Sequence, residues 1–512
     1  MSSVNYSVVM TTEVAAALRR HLLQHIRKGQ RQEDLCFALW KPSTGRTRTT
    51  AVLTEVVLPA ANETRLHGGA SFLPSYLDRV AEAAMSRNAG IALLHSHFTP
   101  GWQGMSGEDI DTERSTAPSI LGETGLPLVG LTMGTDGALS GRFWTRVGRR
   151  EYERRWCGTV RVVGDGFGVT FMDELAPKPR FKEELKRTYS AWGEEKQHTL
   201  ARLHCGVVGV GSVGAIIAES LARMGVETIS LIDFDKVKKL NLDRLLHASV
   251  DDIGRFKVEL VKEHLSKHAT ADSVDVRPER MAVTRESGLR AALDCDVLFS
   301  CVDRPWPRQV LNMVAFAHQI PVVDGGVHVR VKPDGSMRGA RWGAHGAMPG
   351  RACLECLGQF DPANVTLEKQ GLLDDPTYIE RLPEDHVLRR NENVFGFALS
   401  ASGMMLCQFL NMVVQPVGIG DPGVQTYHFA TGMMDTDLRS ACTAGCLFHE
   451  HMGAGDRFPF PVVDADETNV EPSTGQVPWW TKWSRLAKNW LWLGGRVGSD
   501  PGRSSGRTGR GA

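Results

Sequence analysis

His95-Ser-His97, eight further residues, then Ser106-Gly-Glu-Asp109 is the stretch of this chain best suited to chemistry. Two histidines one residue apart on an extended segment point the same way, so both can bind one metal ion. Asp109 can add an oxygen ligand. Three ligands leave a fourth tetrahedral position for water, the arrangement of a hydrolytic rather than a structural zinc site. Such a water needs a base to take its proton and a donor to stabilise the oxyanion that forms. Glu33 opens the strand Leu35–Trp40 and is the candidate base, with Glu55 as the alternative. Ser106 is the candidate donor.

A second chemistry follows about a hundred residues later. Gly209-Val-Gly211-Ser-Val-Gly214 sits after an apolar strand and before a helix. Glycines there let backbone approach phosphates at the positive end of the helix. Asp233 ends the next strand, where a carboxylate can bind ribose hydroxyls. The run beyond it is not that of a dehydrogenase. Asp235, Asn241, Arg244 and Lys257 place bases and an amide next to the ribose acid, and Ser300-Cys-Val-Asp303 brings another carboxylate after a strand. Triphosphate needs positive charge and Mg2+ needs carboxylate oxygen, so the set suits ATP with transfer of AMP to a carboxylate.

Both patterns resemble known families. H-x-H…S-x-x-D resembles the JAB/JAMM metalloproteases, which cleave ubiquitin-like proteins from conjugates or trim their precursors. Their strand E-x-x-G-x-x-x-G is here Glu33-Asp-Leu-Cys-Phe-Ala-Leu-Trp40, with Cys36 and Trp40 where glycines are usual. The second pattern resembles the ThiF-type adenylating enzymes over about 187–450. It covers the three glycines, Ile232-Asp-Phe-Asp235, Asn241-Leu-Asp-Arg244, Phe256-Lys257, and Asp303 with Arg308 and Asn312. By this resemblance Asp233 binds ribose, Asn241, Arg244 and Lys257 bind phosphates, and Asp303 holds Mg2+. Arg187 matches an arginine that reaches the ATP of the partner subunit, which implies a homodimer. The implied partner is a ubiquitin-like or sulfur-carrier protein ending in glycine, with a conjugating-enzyme homologue as a further candidate.

Cys353-Leu-Glu-Cys356 and Cys442-Thr-Ala-Gly-Cys446 can form one four-thiolate structural zinc site. The competing reading makes one of them a thioester nucleophile. The ubiquitin-activating relatives carry that nucleophile in the crossover after the first pair, but Leu357–Phe395 holds no cysteine here. Cys407, in an apolar helix, is expected to be buried.

These residues require two α/β units: a JAB/JAMM-like zinc peptidase domain over 1–155 and a Rossmann-like ThiF adenylation domain over 201–455. In the first, an amphipathic helix spans 12–28. Strands Leu35–Trp40 and Thr49–Leu58 flank a turn at Pro42–Gly45. A helix covers 75–88, and Ile91–Leu94 delivers His95 at a strand end. Residues 156–200 read as a connecting segment, with a helix near 181–203. Cys205–Val208, Ala215–Arg223 and Thr228–Ile232 make a βαβ unit, continued by Val297–Ser300 and Pro321–Asp324. Residues 456–512 read as a tryptophan-rich basic helix (Trp479 to Leu493) and a disordered Gly/Ser/Arg tail. That helix can pack on its own domain, dock on a partner or lie on a membrane.

Composition agrees. A chain of 512 residues needs two or three domains, and 42% hydrophobic residues are ample for their cores. Zero formal charge gives no global attraction to nucleic acid or anionic membrane. The N-terminus lacks a signal-peptide layout, and ten cysteines with two close pairs suit a reducing cytoplasm. The uncharged stretch Val394–Gly420 carries enough polar residues to read as a core helix rather than a membrane span.

Overall fold

The computed structural model describes residues 4–332, 334–381, 392–439, 441–458 and 462. The tryptophan-rich segment and the Gly/Ser/Arg tail lie outside the described residues.

Two eight-stranded sheets organise the chain. The first contains β1 (Asn5–Thr11), β2 (Leu35–Thr44), β3 (Arg48–Val57), β6 (Gly90–Ser96), β7 (Leu128–Met133), β8 (Leu139–Gly148), β9 (Glu151–Val163) and β10 (Phe167–Phe171), in the order β1-β3-β2-β6-β7-β8-β9-β10. β4 (Thr64–Leu66) and β5 (Ala70–Phe72) form a separate ribbon. β9 closes the sheet on itself: its start pairs with β8, and Cys157–Val163 pair with β1. Helices α1 (Thr12–Leu22), α2 (Pro74–Ser86) and α3 (Gly107–Thr124) belong to this sheet. Val8, Met10, Ala38, Leu53, Leu94 and Phe143 form one core, while Phe37, Tyr76, Val80 and Trp144 belong to another on the α2/α3 side.

The helix expected over 12–28 stops at Leu22, and Ile26–Lys28 is a separate 3-10 turn. β2 runs through Pro42 to Thr44, so the hairpin turns later, at Gly45–Thr47. Proline fits because β2 pairs with β6 only over Leu35–Trp40. The first sheet also runs past residue 155. The end of β9 and all of β10 fall in the stretch expected to connect the domains.

The second sheet has the order β13-β12-β11-β14-β15-β16-β17-β18. Its strands are β11 (His204–Val208), β12 (Thr228–Ile232), β13 (Asp275–Glu279), β14 (Val297–Ser300), β15 (Val322–Val331), β16 (Met337–Ala347), β17 (Val424–His428) and β18 (Met433–Asp437). β13 to β15 in this order are parallel and the rest antiparallel. The chain first winds outward from β11 to β13, then returns to β14 on the other side. This is the Rossmann-like switch, and it puts a crevice at the carboxyl ends of β11 and β14.

The helix expected near 181–203 is divided at Gly193, φ 87°, into α4 (Lys186–Trp192) and α5 (Glu194–Arg202). α6 (Ser212–Arg223), α7 (Lys257–His268), α8 (Glu286–Ala292) and α9 (Pro305–Ala317) follow the parallel strands. α10 (Pro362–Lys369) and α11 (Pro376–Arg381) precede α12 (Phe395–Val414). α12 is long and apolar enough to cross a membrane. It packs one face against α6, β15 and β16, burying Ala398, Met405, Phe409 and Met412. Cys407 lies on its other face and is exposed, contrary to the expectation of burial. α12 is apolar nearly all round, so its hydrophobicity does not reveal which face is covered.

Candidate functional site

His95 is the next-to-last residue of β6, which leads directly to His97; α3 brings Asp109 across to them. Ser106 is the N-cap of α3, and its Oγ accepts from the Asp109 N–H at 3.1 Å. Asp109 Oδ2 accepts from the Ser106 N–H at 2.8 Å. This reciprocal cap fixes Asp109 at the start of the helix. His95 Nε2 and His97 Nε2 are 3.2 Å apart, and each is 3.4 Å from an Asp109 oxygen. A tetrahedral ion with bonds of 2.0–2.1 Å has ligand edges of about 3.3 Å, so this donor set fits zinc.

Burial raises the Asp109 carboxyl, but its hydrogen bonds to His95 and His97 outweigh that and hold it well below the usual range. The hydrogen bond to Asp109 raises His97. Glu33 faces the same cluster and is raised chiefly by burial, with His97 and His95 opposing. A raised carboxyl is better matched to proton transfer near neutrality. Ser106 keeps its hydroxyl hydrogen while its oxygen caps the helix. Glu55 is elsewhere, half-buried and paired to Arg87 at 2.9 Å. Trp40, standing where glycine was expected, is buried against Gly90. A Cβ on Gly90 would lie 2.4 Å from the Trp40 ring.

Behind His95 lies a buried polar chain that the motif did not reveal. Thr132 Oγ1 is 3.4 Å from His95 Nε2 and accepts from Arg142 at 2.7 Å. Arg142 pairs with Glu113, which also accepts from Trp144 Nε1 at 2.6 Å. The glutamate comes from α3, so this pair ties that helix to β7 and β8.

The glycine loop lies at the switch point of the second sheet. Gly209 has φ 87°, and a Cβ there would meet the Cys301 carbonyl at 2.6 Å. A Cβ on Gly214 would lie 1.9 Å from the Gly209 carbonyl, whereas one on Gly211 would meet nothing within 4 Å. Gly209 and Gly214 are therefore needed by the turn, and Gly211 leaves open space above the start of α6.

Asp233 accepts from the Val210 N–H and the Asp235 N–H, both at 2.7 Å, which joins the loop to the end of β12. Burial raises its carboxyl, with Lys257 opposing. Lys257 Nζ donates to Asp235 at 2.7 Å. Asn241 Oδ1 accepts from the Lys238 N–H at 2.9 Å, and Arg244 holds the Leu240 carbonyl and Asp243. The hydrogen bonds of these two run to their own neighbours in the chain. Asp303 is exposed just before α9, and Arg187 is exposed on α4. Arg308 instead binds Asp324 at 2.9 Å, where Ser300 Oγ also donates at 2.6 Å. Asp324, the last residue of the strand expected over Pro321–Asp324, is thus a second buried carboxylate at this crevice. In the structure it lies within β15, so it lacks the position after a strand that marked Asp303.

The four cysteines converge. Cys353, Cys356, Cys442 and Cys446 have sulfurs within 4.8 Å of one another, and Cys353 Sγ is 3.7 Å from Cys446 Sγ. A tetrahedral zinc with 2.3 Å Zn–S bonds has edges of about 3.8 Å. The Cys353 N–H points to Cys442 Sγ and the Cys356 N–H to Cys353 Sγ. Burial pushes the Cys446 thiol up to about 11. Asn312 accepts from the neighbouring Leu354 N–H at 2.9 Å.

Residues 185–415 match the model of the ThiF family, so this span is a ThiF-family domain. The tRNA threonylcarbamoyladenosine dehydratase of Escherichia coli K12 is 30% identical over 30% of this chain and 57% of its own length. The adenylyltransferase and sulfurtransferase UBA4 of Meyerozyma guilliermondii is 33% identical over 23% of this chain and 28% of its own. The chain thus spans less than two thirds of either relative. The molybdopterin-synthase adenylyltransferase of E. coli K12 is 26% identical over 47% of this chain and 95% of its own length. Among solved structures, E. coli MccB with AMPCPP and MccA aligns with a TM-score of 0.40 at 18% identity, over 52% of this chain and 73% of that one.

Proposed function

We propose that this chain is a bifunctional enzyme, with a zinc peptidase in residues 1–155 that trims or deconjugates a ubiquitin-like protein and an adenylation domain in 201–455 that activates its C-terminal glycine. The carrying observation is that one compact unit holds both His95, His97 and Asp109 around a common point faced by Glu33, and a ThiF domain whose glycine loop is locked to Asp233.

In the peptidase, zinc, when bound, supplies Lewis-acid polarisation of water and of the scissile carbonyl. Glu33 takes the proton from the attacking water and returns it to the leaving amine. Ser106 donates to the developing oxyanion. In the adenylation domain the carrier carboxylate attacks the α-phosphorus of ATP, the α–β phosphoanhydride breaks, and pyrophosphate leaves. Asp233 binds ribose, Asp235 and Asn241 line the site, and Arg244 and Lys257 neutralise phosphate charge. Asp303 holds Mg2+. The four cysteines hold a structural zinc. Since the crossover has no cysteine, the reaction stops at the acyl adenylate, and another protein's thiol, such as that of a conjugating-enzyme homologue, receives it. Arg187 acts across a homodimer.

The test is ATP–pyrophosphate exchange by the full chain with Mg2+ and a carrier ending in Gly-Gly. Exchange that needs the carrier and is lost in Asp303→Ala supports adenylation. Protein that binds ATP yet exchanges with no free-tailed carrier sinks it. The likeness to the molybdopterin-synthase adenylyltransferase favours a second reading, a sulfur-carrier adenylyltransferase of cofactor biosynthesis; a separate alternative is an activating enzyme whose peptidase domain only binds the carrier. Cleavage of an extended carrier by the parent, absent in His97→Ala, excludes a merely binding role.

A further inference from the structure

Away from both sites, α6, the segment after Arg244 and the end of α7 bring a third group of metal-binding side chains together. Glu219 lies on α6, His247 in the segment, and His268 closes α7. Their ligand atoms lie within 4.8 Å of one another. Glu219 Oε2 is 3.2 Å from His247 Nε2 and 3.1 Å from His268 Nδ1, so one carboxylate oxygen faces both imidazoles. These separations match those around His95, His97 and Asp109, and fit the same tetrahedral edge of about 3.3 Å. The other oxygen, Oε1, is engaged by Arg223 Nε at 2.6 Å and His268 Nδ1 at 2.9 Å.

Two further observations mark the cluster. His247 holds a left-handed backbone, φ 72°, which costs a non-glycine residue free energy and persists where surroundings enforce it. His264, one turn before His268, stacks on His247 with ring centroids 4.3 Å apart and planes 8° off parallel. The stack holds the His247 imidazole in a fixed orientation. Glu219 is buried and the histidines are partly exposed, so a cation can enter from solvent.

We propose that Glu219, His247 and His268 bind a divalent transition-metal cation of the zinc type. Two imidazoles and one carboxylate are a donor set for such ions rather than for Mg2+ or Ca2+. The site clamps three elements at their far ends. α6 starts at the glycine loop, the segment continues from Asn241 and Arg244, and α7 starts at Lys257. The cation therefore fixes how these elements diverge from the nucleotide crevice. This consequence rests on the adenylation reading; the binding itself does not.

The test counts zinc by plasma mass spectrometry after equilibrium dialysis of the full chain at one free zinc concentration. The expected result is one zinc fewer per chain in His247→Ala/His268→Ala than in the parent, with the zinc lost in His97→Ala lost additively. An unchanged count overturns the proposal. Should the double variant not fold, His268→Gln keeps a hydrogen-bonding group beside Glu219 but no imidazole. Zinc should then raise the parent's Tm more than that of His268→Gln, and equal shifts overturn it. ATP binding, measured separately with and without zinc, tells a failed cation site from a failed adenylation reading.

Discussion

Arg48 on β3 of the first sheet donates to Asp296 Oδ1 at 2.5 Å, immediately before β14 of the second, and both side chains are buried. Arg161 on β9 approaches the same oxygen at 3.4 Å. Around this pair Asp294 accepts from the backbone of Thr47 and Arg48, and His318 Nδ1 lies 2.8 Å from Ser43 Oγ. The two sheets are thus joined by buried charge and hydrogen bonds, not by a slack tether.

Removing one partner of a buried ion pair leaves the other charge unpaired, at a cost of about 3–5 kcal/mol. Asp296→Leu, which strands both Arg48 and Arg161, should lose at least that much stability in urea unfolding. Arg48→Met together with Asp296→Leu should recover only part of it, since Arg161 stays buried without a carboxylate. The parent should unfold in one transition by probes of either sheet. Two well-separated transitions would contradict a rigid joint between them.

Two histidines near this joint set its acid response. Burial pushes His204 and His318 each down to about 4. Unfolded, each titrates near 6.5. Between those values the unfolded chain binds more protons, so stability falls as pH drops from 6.5 to 4, by about 1.4 kcal/mol per pH unit for each histidine. Above 6.5 neither contributes a slope. Asp296 acts lower. Burial raises its carboxyl, but Arg48 and Arg161 outweigh that and depress it, so its contribution is present above the ordinary carboxylate value and lost below it. Urea midpoints from pH 7 to 4.5 should show a shallower slope in His318→Gln. An identical slope would show that His318 is not a source of it.

What the sequence reveals follows from local signal. The glycine loop, β12 and β14 are legible because apolar runs and glycine punctuation lie side by side in the chain. His95, His97 and Asp109 are legible because one strand and one helix start hold them. β9 is hidden because Glu151, Glu153 and Arg155 fill its exposed positions: the alternation is of charged residues with half-buried ones, not of apolar residues. Asp324 reads in the sequence only as the end of a strand. Glu219 and His247 share no local motif with α7, although His264 and His268 stand one helical turn apart, a spacing that marks metal-binding pairs.

The peptidase reading separates ligand from base. Glu33 faces the cluster without being one of its three converging ligands. Glu33→Gln should keep the zinc of the parent and slow cleavage of an extended carrier by about 10²–10⁴-fold, the range for loss of a general base. His97→Ala should lose both zinc and cleavage. If Glu33→Gln also loses zinc, Glu33 is a ligand, and the proton must go elsewhere.

The three glycines make the sharpest contrast in the second site. Gly214→Ala drives a methyl to 1.9 Å from the Gly209 carbonyl, so the loop must open or α6 must shift. Gly209→Ala meets the Cys301 carbonyl at 2.6 Å and must also hold φ 87°. Both should lower Tm, since backbone obstructs the new methyl and cannot swing aside. Gly211 has φ −83° and no atom within 4 Å of the point a methyl would occupy, so alanine fits the nucleotide-free protein. Gly211→Ala should therefore melt like the parent. Its loss should appear only as weaker ATP binding by calorimetry, because the space the methyl enters is where phosphate would approach the start of α6. A parent-like Tm with parent-like ATP affinity would mean that nucleotide does not pass over Gly211, and the phosphates would have to be sought nearer Lys257 and Arg244.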